Sequence, residues 1–135
     1  MHNAESTAAL LAALPAPYEL PGGGLWVARR DEAAVGCIAL QALGPTVGEI
    51  KRMYVDPAHR GHGVARALAA HLIEEARARH YETLRLGTLT SMRPAQFLYE
   101  SLGFRGIAPY RSVEFGDTVF YELSLGTAAV SGLEQ

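Results

Sequence analysis

The chain has one cysteine, Cys37, one lysine, Lys51, and one tryptophan, Trp26, in 135 residues. A single cysteine excludes an internal disulfide and any cysteine-rich zinc site. No apolar run approaches the roughly 20 residues of a membrane span. The start, MHNAESTAALLAALPAP, lacks the basic n-region of a signal peptide. An excess of one charge is missing too: twelve Lys+Arg face 14 Asp+Glu, for a formal net charge of −2. Without a Lys/Arg run there is no concentrated positive charge for nucleic acid or an acidic membrane, so neither is expected as a partner. None of the five histidines, His2, His59, His62, His71 and His80, stands at metal-ligand spacing from another, so no metal is expected. What is present suits burial: 49% hydrophobic and 19% charged residues, with 14 glycines and 7 prolines, describe a folding chain rather than a disordered or low-complexity one. The length suits one domain over 1–135, and a soluble cytoplasmic protein is the expectation.

Residues 5–14 (ESTAALLAAL) read as a helix ended by Pro15 and Pro17. Strands follow at 25–29, 35–40 and 47–55, with Asp31-Glu32 and Gly44-Pro45 as turns, so this half reads as an antiparallel meander. From Val64 to about Arg79, apolar residues at 64, 65, 68, 69, 72, 73 and 76 form a helical stripe. Thr83–Leu89 then reads as a strand parallel to 47–55, reached by a right-handed crossover. A helix over about 93–102 has Pro94 in its first turn and Gly103 as its stop. Strands at 107–110 and 119–125 and a flexible tail from Gly126 complete the chain. The expected fold class is α/β, or α+β by a looser count: a mixed, mostly antiparallel sheet with a central parallel pair, flanked by helices.

The loop Asp56-Pro-Ala-His-Arg-Gly-His-Gly-Val-Ala joins a strand to the long helix and carries two glycines before the helix begins. Glycines there bring backbone N–H groups to a surface, and the helix N-terminus adds about half a positive charge, which makes an anion site. The loop lacks the GxxxxGK[ST] of a P-loop, and Arg66 breaks the dinucleotide pattern GxGxxG. In the preceding strand, Glu49, Lys51 and Arg52 sit where burial is expected, and charges are rarely buried unless paired or functional. Period-two alternation places Glu49, Lys51, Met53 and Val55 on one face and Ile50, Arg52 and Tyr54 on the other. Glu49 is then either half of an ion pair or a functional carboxylate.

Glu49-Ile-Lys-Arg-Met-Tyr-Val-Asp-Pro-Ala-His-Arg-Gly-His-Gly-Val-Ala resembles the acetyl-CoA-binding motif of the GNAT N-acetyltransferase superfamily, whose ending [RQ]-x-x-G-x-[GA] is matched by Arg60, Gly63 and Ala65. Ala95-Gln-Phe-Leu-Tyr-Glu-Ser-Leu-Gly-Phe resembles that family's second signature, and the likeness covers about residues 25–125. The resemblance implies acetyl-CoA as co-substrate and a primary amine, in a small molecule or exposed on a protein, as acceptor. The amides of Arg60, Gly61, His62, Gly63, Val64, Ala65 and Arg66 would hold the pyrophosphate. The backbone of Met53, Tyr54 and Val55 would pair with the pantetheine arm where the parallel strands splay, and an N–H near Met53 would stabilise the oxyanion. Glu49 matches a position used as general base, or serves as an anchor. Tyr99, read at the edge of a stripe of Ala95, Leu98 and Leu102, matches a position that protonates the leaving thiolate, or is a packed aromatic.

There are departures. Met92 stands where many relatives have asparagine, and Gly87 replaces an aspartate in Arg85-Leu-Gly-Thr-Leu-Thr-Ser-Met. Tyr110 and Arg111 are candidates for the acceptor pocket, and Cys37 and Trp26 for the core. The family resemblance implies a strand and two helices before the strand at Trp26, whereas about 1–24 offers one helix. A homodimer is expected to cover the exposed apolar surface. The alternative reading is a catalytically degenerate acyl-CoA-binding or regulatory module.

Overall fold

Three antiparallel strands joined by short turns run from Gly24 to Val55, the middle one buried almost throughout. The computed structural model describes residues 22–113 and 116–126; the helix expected over 5–14 and the tail beyond Gly126 lie outside them. β1 (Gly24–Arg30), β2 (Ala33–Ala42) and β3 (Val47–Val55) form the meander, followed by a 3-10 turn (Pro57–His59), helix α1 (Val64–Ala78), β4 (Thr83–Leu89), helix α2 (Arg93–Ser101), β5 (Arg105–Ile107) and β6 (Thr118–Ser124). The six strands lie in the order β1-β2-β3-β4-β6-β5, with β3 and β4 parallel and the other pairs antiparallel. This is the mixed α/β sheet that the sequence pattern predicts. Among the described residues no helix is long and apolar enough to cross a membrane.

The β1–β2 turn puts both Asp31 (φ 52°) and Glu32 (φ 69°) in the left-handed region, the backbone of a two-residue hairpin whose twist matches its strands. Helix α1 buries Val64, Leu68, Ala69, Leu72, Ile73 and Ala76. Fully burying an aliphatic side chain such as Leu72 contributes about 1.5–3 kcal/mol, so this stripe fixes the helix on the sheet. Its face includes Ile38, Leu40, Ile50, Leu84 and Leu86, all in one core cluster. Tyr121 and Leu123 of β6 stand opposite Leu86 and Leu84. The Tyr121 hydroxyl donates to Glu100 at 2.8 Å, so α2 covers the same face. Trp26, expected in the core, is half-buried, its edge against His71.

Both helices end in the same way. The N–H of Tyr81 reaches the carbonyl of Ala76 and that of His80 the carbonyl of Arg77; in α2, Phe104 reaches Tyr99 and Gly103 reaches Glu100. These are Schellman caps, with left-handed His80 (φ 68°) and Gly103 (φ 103°) at the turning position.

Three expectations need correction. The strand expected over 107–110 is Arg105–Ile107. Pro109 has no N–H to continue a ladder, and from there the chain leaves the sheet and carries Tyr110 and Arg111 over its far face. Within α2, Tyr99 is the buried residue, whereas Ala95, Leu98 and Leu102 are only partly buried. The apolar cap contact between Tyr99 and Phe104 draws that tyrosine inward. Finally, β3 does not alternate throughout. Cys37 pairs with Tyr54 but Ala39 pairs with Lys51, so β3 holds one extra residue. Arg52 adopts φ 58° and its carbonyl accepts from the Cys37 thiol at 3.3 Å. This β-bulge reverses the faces beyond it: Met53 and Val55 join Ile50 at the core, and Tyr54 takes the face of Glu49.

Candidate active site

The parallel pairing of β3 with β4 is short. It joins Val47 to Thr83, Gly48 to Leu84 and Glu49 to Arg85, and stops. From Ile50 to Val55, β3 keeps β2 on one edge and has no strand partner on the other among the described residues. Met53, Tyr54 and Val55 therefore present backbone N–H and C=O groups to a gap in the middle of the sheet. The bulge at Arg52 sharpens the local twist and turns β3 away from β4.

The glycine loop sits at the end of that gap. Asp56, 2% exposed, accepts from the Ala58 N–H at 3.0 Å and so sets the 3-10 turn. Arg60 folds back, its Nε donating to the Val55 carbonyl at 2.9 Å, with the guanidinium over the Tyr54 ring. Gly61 (φ 80°) and Gly63 (φ 85°) are both left-handed with open space around them; backbone geometry, not crowding, calls for glycine here. Gly63 caps α1 without a side-chain hydrogen bond, and the first helical bond runs from Ala67 to Gly63. The amides of Gly61, His62, Gly63, Val64, Ala65 and Arg66 thus have no backbone acceptor among the described residues, and the dipole of α1 adds to them. Val64 and Ala65 turn their side chains to the core, and Arg66 donates to the Ser101 hydroxyl at 2.7 Å, tying the loop to the end of α2. An anion fits this arrangement of donors, and an extended chain leading from it fits the open edge of β3.

Glu49 lies on the opposite face from the helices and is 2% exposed. Its Oε2 accepts from the Tyr110 hydroxyl at 2.6 Å and from Arg111 Nε at 2.8 Å; its Oε1 stands 3.5 Å from Lys51 Nζ. The choice between ion pair and functional carboxylate is therefore not exclusive. Glu49 is paired and buried, with one oxygen less heavily engaged. Desolvation, then the hydrogen bond and charge of Glu49, push the Tyr110 phenol well above its ordinary range. Desolvation lowers Arg111, but Glu49 outweighs it and the guanidinium pKa is raised.

Tyr99 is 3% exposed and meets Phe104 edge-on, with ring centroids 5.3 Å apart. Burial pushes its phenol far up, so it is held in the protonated form at neutral pH. Its hydroxyl makes no hydrogen bond to a described residue, yet no buried side-chain N or O among them is left unpartnered; the oxygen must therefore reach solvent. Glu49 and Tyr99 thus belong to opposite faces of the sheet, Tyr99 in the core cluster and Glu49 on the far side.

Beside Glu49 lies a cleft of about 430 Å³ lined by Gly87, Thr88, Leu89, Arg111, Ser112, Val113 and Thr118. A Cβ on Gly87 would stand 3.1 Å from Phe120 and 3.2 Å from Thr118, so the glycine keeps the floor of the cleft low. Arg111, a candidate for the acceptor pocket, is among the residues that line this cleft. Sequence reasoning missed that Tyr110 and Arg111 close on Glu49, and that Arg85 belongs to the same group. His59, His62, His71 and His80 take no part in it, and among the described residues no group of His, Cys, Asp and Glu could hold a metal ion. Cys37 is fully buried, where desolvation raises its thiol.

Comparison with known proteins agrees with this geometry. The sequence model of the acetyltransferase (GNAT) family matches residues 3–104. An N-acetyltransferase of Bacillus subtilis, YsnE, is 42% identical over 87 residues, 63% of this chain and 58% of that protein. The N-acetylaspartate synthetase of Xenopus tropicalis is 40% identical over 88 residues, 64% of this chain and 32% of that protein. The chain thus spans between about a third and three fifths of the length of these relatives. An acyl-CoA N-acyltransferase structure from Klebsiella pneumoniae superimposes with a TM-score of 0.74 at 31% identity, covering 91% of this chain and 87% of the other. An acetyltransferase structure from Salmonella typhimurium, solved with acetyl-CoA, superimposes with a TM-score of 0.71 at 27% identity, covering 90% and 73%.

Proposed function

This chain belongs to the acetyltransferase (GNAT) family, and from that premise we propose that it moves an acetyl group from acetyl-CoA to a primary amine by direct attack. The observation that carries the reading is the coincidence of two features at one place. The parallel strands part beyond Glu49 and Arg85, and a helix N-terminus, whose amides from Gly61 to Arg66 have no backbone acceptor among the described residues, stands at the end of the gap. The pyrophosphate of acetyl-CoA suits those amides, and its amide-bearing arm suits the open edge of Met53, Tyr54 and Val55. A thioester carbonyl beside that edge would find backbone N–H groups to receive the oxyanion.

The amine must shed a proton before its lone pair attacks the thioester carbon. Oε1 of Glu49, the oxygen not held by Tyr110 and Arg111, is the group that takes it, directly or through a water. As the tetrahedral centre collapses, the C–S bond breaks and the thiolate takes a proton from the Tyr99 hydroxyl, while the nitrogen gives up its second proton to solvent water, which in turn restores the phenol. The high pKa that burial confers keeps that phenol protonated until then. A cytoplasmic homodimer goes with this reading; a single species at 14.5 kDa in light scattering would remove the dimer.

The test is a thermal shift with acetyl-CoA, followed by free-thiol release with a panel of amines. Ligand at 100 times its dissociation constant stabilises by about 2.7 kcal/mol. A shift with steady thiol release supports the enzyme, and a shift without release for any amine supports a binding module. No shift refutes both.

A further inference from the structure

On the far face of the sheet, each of two carboxylates is shared by two cations. Glu49 takes Arg111 at 2.8 Å and Lys51 at 3.5 Å; Glu122 takes Arg85 at 3.0 Å and Arg105 at 3.4 Å. The two groups are one surface. Glu49 and Arg85 are register partners at the last paired position before the gap. The guanidinium carbons of Arg85 and Arg111 stand 5.2 and 5.7 Å from the same Tyr110 ring centroid. This face therefore carries surplus positive charge in a chain whose formal net charge is −2.

One of these four cations lines the cleft. Arg111 is the charged residue among its described lining residues. Arg111 Nε is spent on Glu49 and Nη1 on the Ser112 carbonyl, whereas Nη2 has no partner among the described residues. A planar guanidinium with a free N–H at a cleft mouth recognises a carboxylate better than any other common group. A cationic surface also disfavours the ammonium form of an amine brought against it, and the neutral amine is the form that attacks.

We propose that the acceptor amine belongs to a molecule that also bears a carboxylate, which docks on Arg111 and Arg85 and directs the amine toward Glu49. The proposal rests on the acetyl-transfer reading. The carboxylate could come from a free amino acid or from an acidic residue at a peptide N-terminus.

Thiol release from acetyl-CoA is measured with the common L-amino acids, with their α-amides, and with C-terminally amidated peptides that begin with Asp or Glu. Amino acids turned over with kcat/KM about tenfold or more above their amides assign a free amino acid; turnover confined to the amidated acidic peptides assigns the peptide source. Because Arg111 compensates a buried carboxylate, the test variant is Arg85→Gln, which leaves Glu122 its Arg105. It is expected to raise KM for the carboxylate-bearing acceptor about tenfold, with a much smaller change in kcat. Amides used as well as acids, or turnover only of amines lacking a carboxylate, would overturn the proposal and leave the acetyltransferase standing. Acetyl-CoA binding with no turnover in any arm overturns it as well, and absence of acetyl-CoA binding refutes the reading beneath it.

Discussion

The contact between Glu49 and Arg111 sets a measurable energy. At 2.8 Å and an effective dielectric constant of about 20, the attraction is about 6 kcal/mol. Arg111 keeps 37% of its side chain exposed, so solvent screens part of that, and burying Glu49 has its own desolvation cost. Replacing Arg111 by Met leaves a carboxylate that is 2% exposed with the Tyr110 hydroxyl and a lysine at 3.5 Å. Stranding one partner of a buried pair costs about 3–5 kcal/mol, and with two partners remaining the expected loss is about 3 kcal/mol. For a chain between the sizes usually tabulated, that is a fall in Tm of roughly 10 °C. Glu49→Gln removes the charge but keeps an acceptor for Tyr110, so Arg111→Met should cost much less in its background. The coupling between the two changes is expected at about 2 kcal/mol. Urea and thermal unfolding of the wild type, both single variants and the double variant close the cycle. Additivity to within about 0.5 kcal/mol would mean that the contact is a surface ion pair of little energetic consequence, and the description of Glu49 as a charge-compensated buried group would fail.

Tyr99→Phe keeps the ring contact with Phe104 and the helix cap, so its stability should match the wild type. Turnover should fall while KM for acetyl-CoA holds, and an unchanged kcat would remove the acid role. Gly63→Ala meets no steric obstacle but places a Cβ at φ 85°, which costs about 1–2 kcal/mol and disturbs the amides of the loop. Isothermal titration should show weaker acetyl-CoA binding, and an alanine variant that binds as tightly as the wild type would contradict the anion-site geometry. Burial raises Tyr99 and Tyr110 above the ordinary phenol value of 10.0. The unfolded chain therefore loses protons near pH 10 that the native state keeps, so the stabilisation present below about pH 10 is lost as the pH rises above it. Unfolding midpoints measured from about pH 8 to 11 should fall at the upper end. Tyr110→Phe should flatten that fall, and an equal slope in the variant would count against it.

Much of the fold was legible because local rules and the global fold agree. The stripe from Val64 to Ala76 announced α1, and β3 and β4 begin and end where composition and turn residues place them. The motif containing Tyr99, Gly103 and Phe104 was legible for a reason that has little to do with chemistry. Gly103 supplies the left-handed residue of a Schellman cap, and Tyr99 and Phe104 are the two positions whose side chains meet across such a cap. Reading Tyr99 as the edge of a stripe failed because helical periodicity ignores the residue beyond the helix end, and Phe104 is the one that draws the ring inward. A match to this motif therefore supports the fold more directly than it supports the acid role.

What stayed hidden depends on contacts between distant parts of the chain. Tyr110 and Arg111 follow Glu49 by 61 and 62 residues, and no periodic pattern relates them. Sequence reasoning carried them as a lone Tyr-Arg pair, and only Pro109, two residues past the end of β5, hints that the chain does not continue in the sheet there. The bulge at Arg52 is the deeper omission. A charged, non-glycine residue at φ 58° carries no composition signal, yet it reverses the parity of everything after it. With strict alternation, Met53 and Val55 would stand beside Glu49 and put apolar side chains on that face of the sheet. With the bulge, those side chains join the core under α1, the backbone is left to the gap, and Tyr54 comes round under Arg60. The extra residue in β3 is thus what lets one strand give its side chains to the core and leave its backbone groups open to the gap.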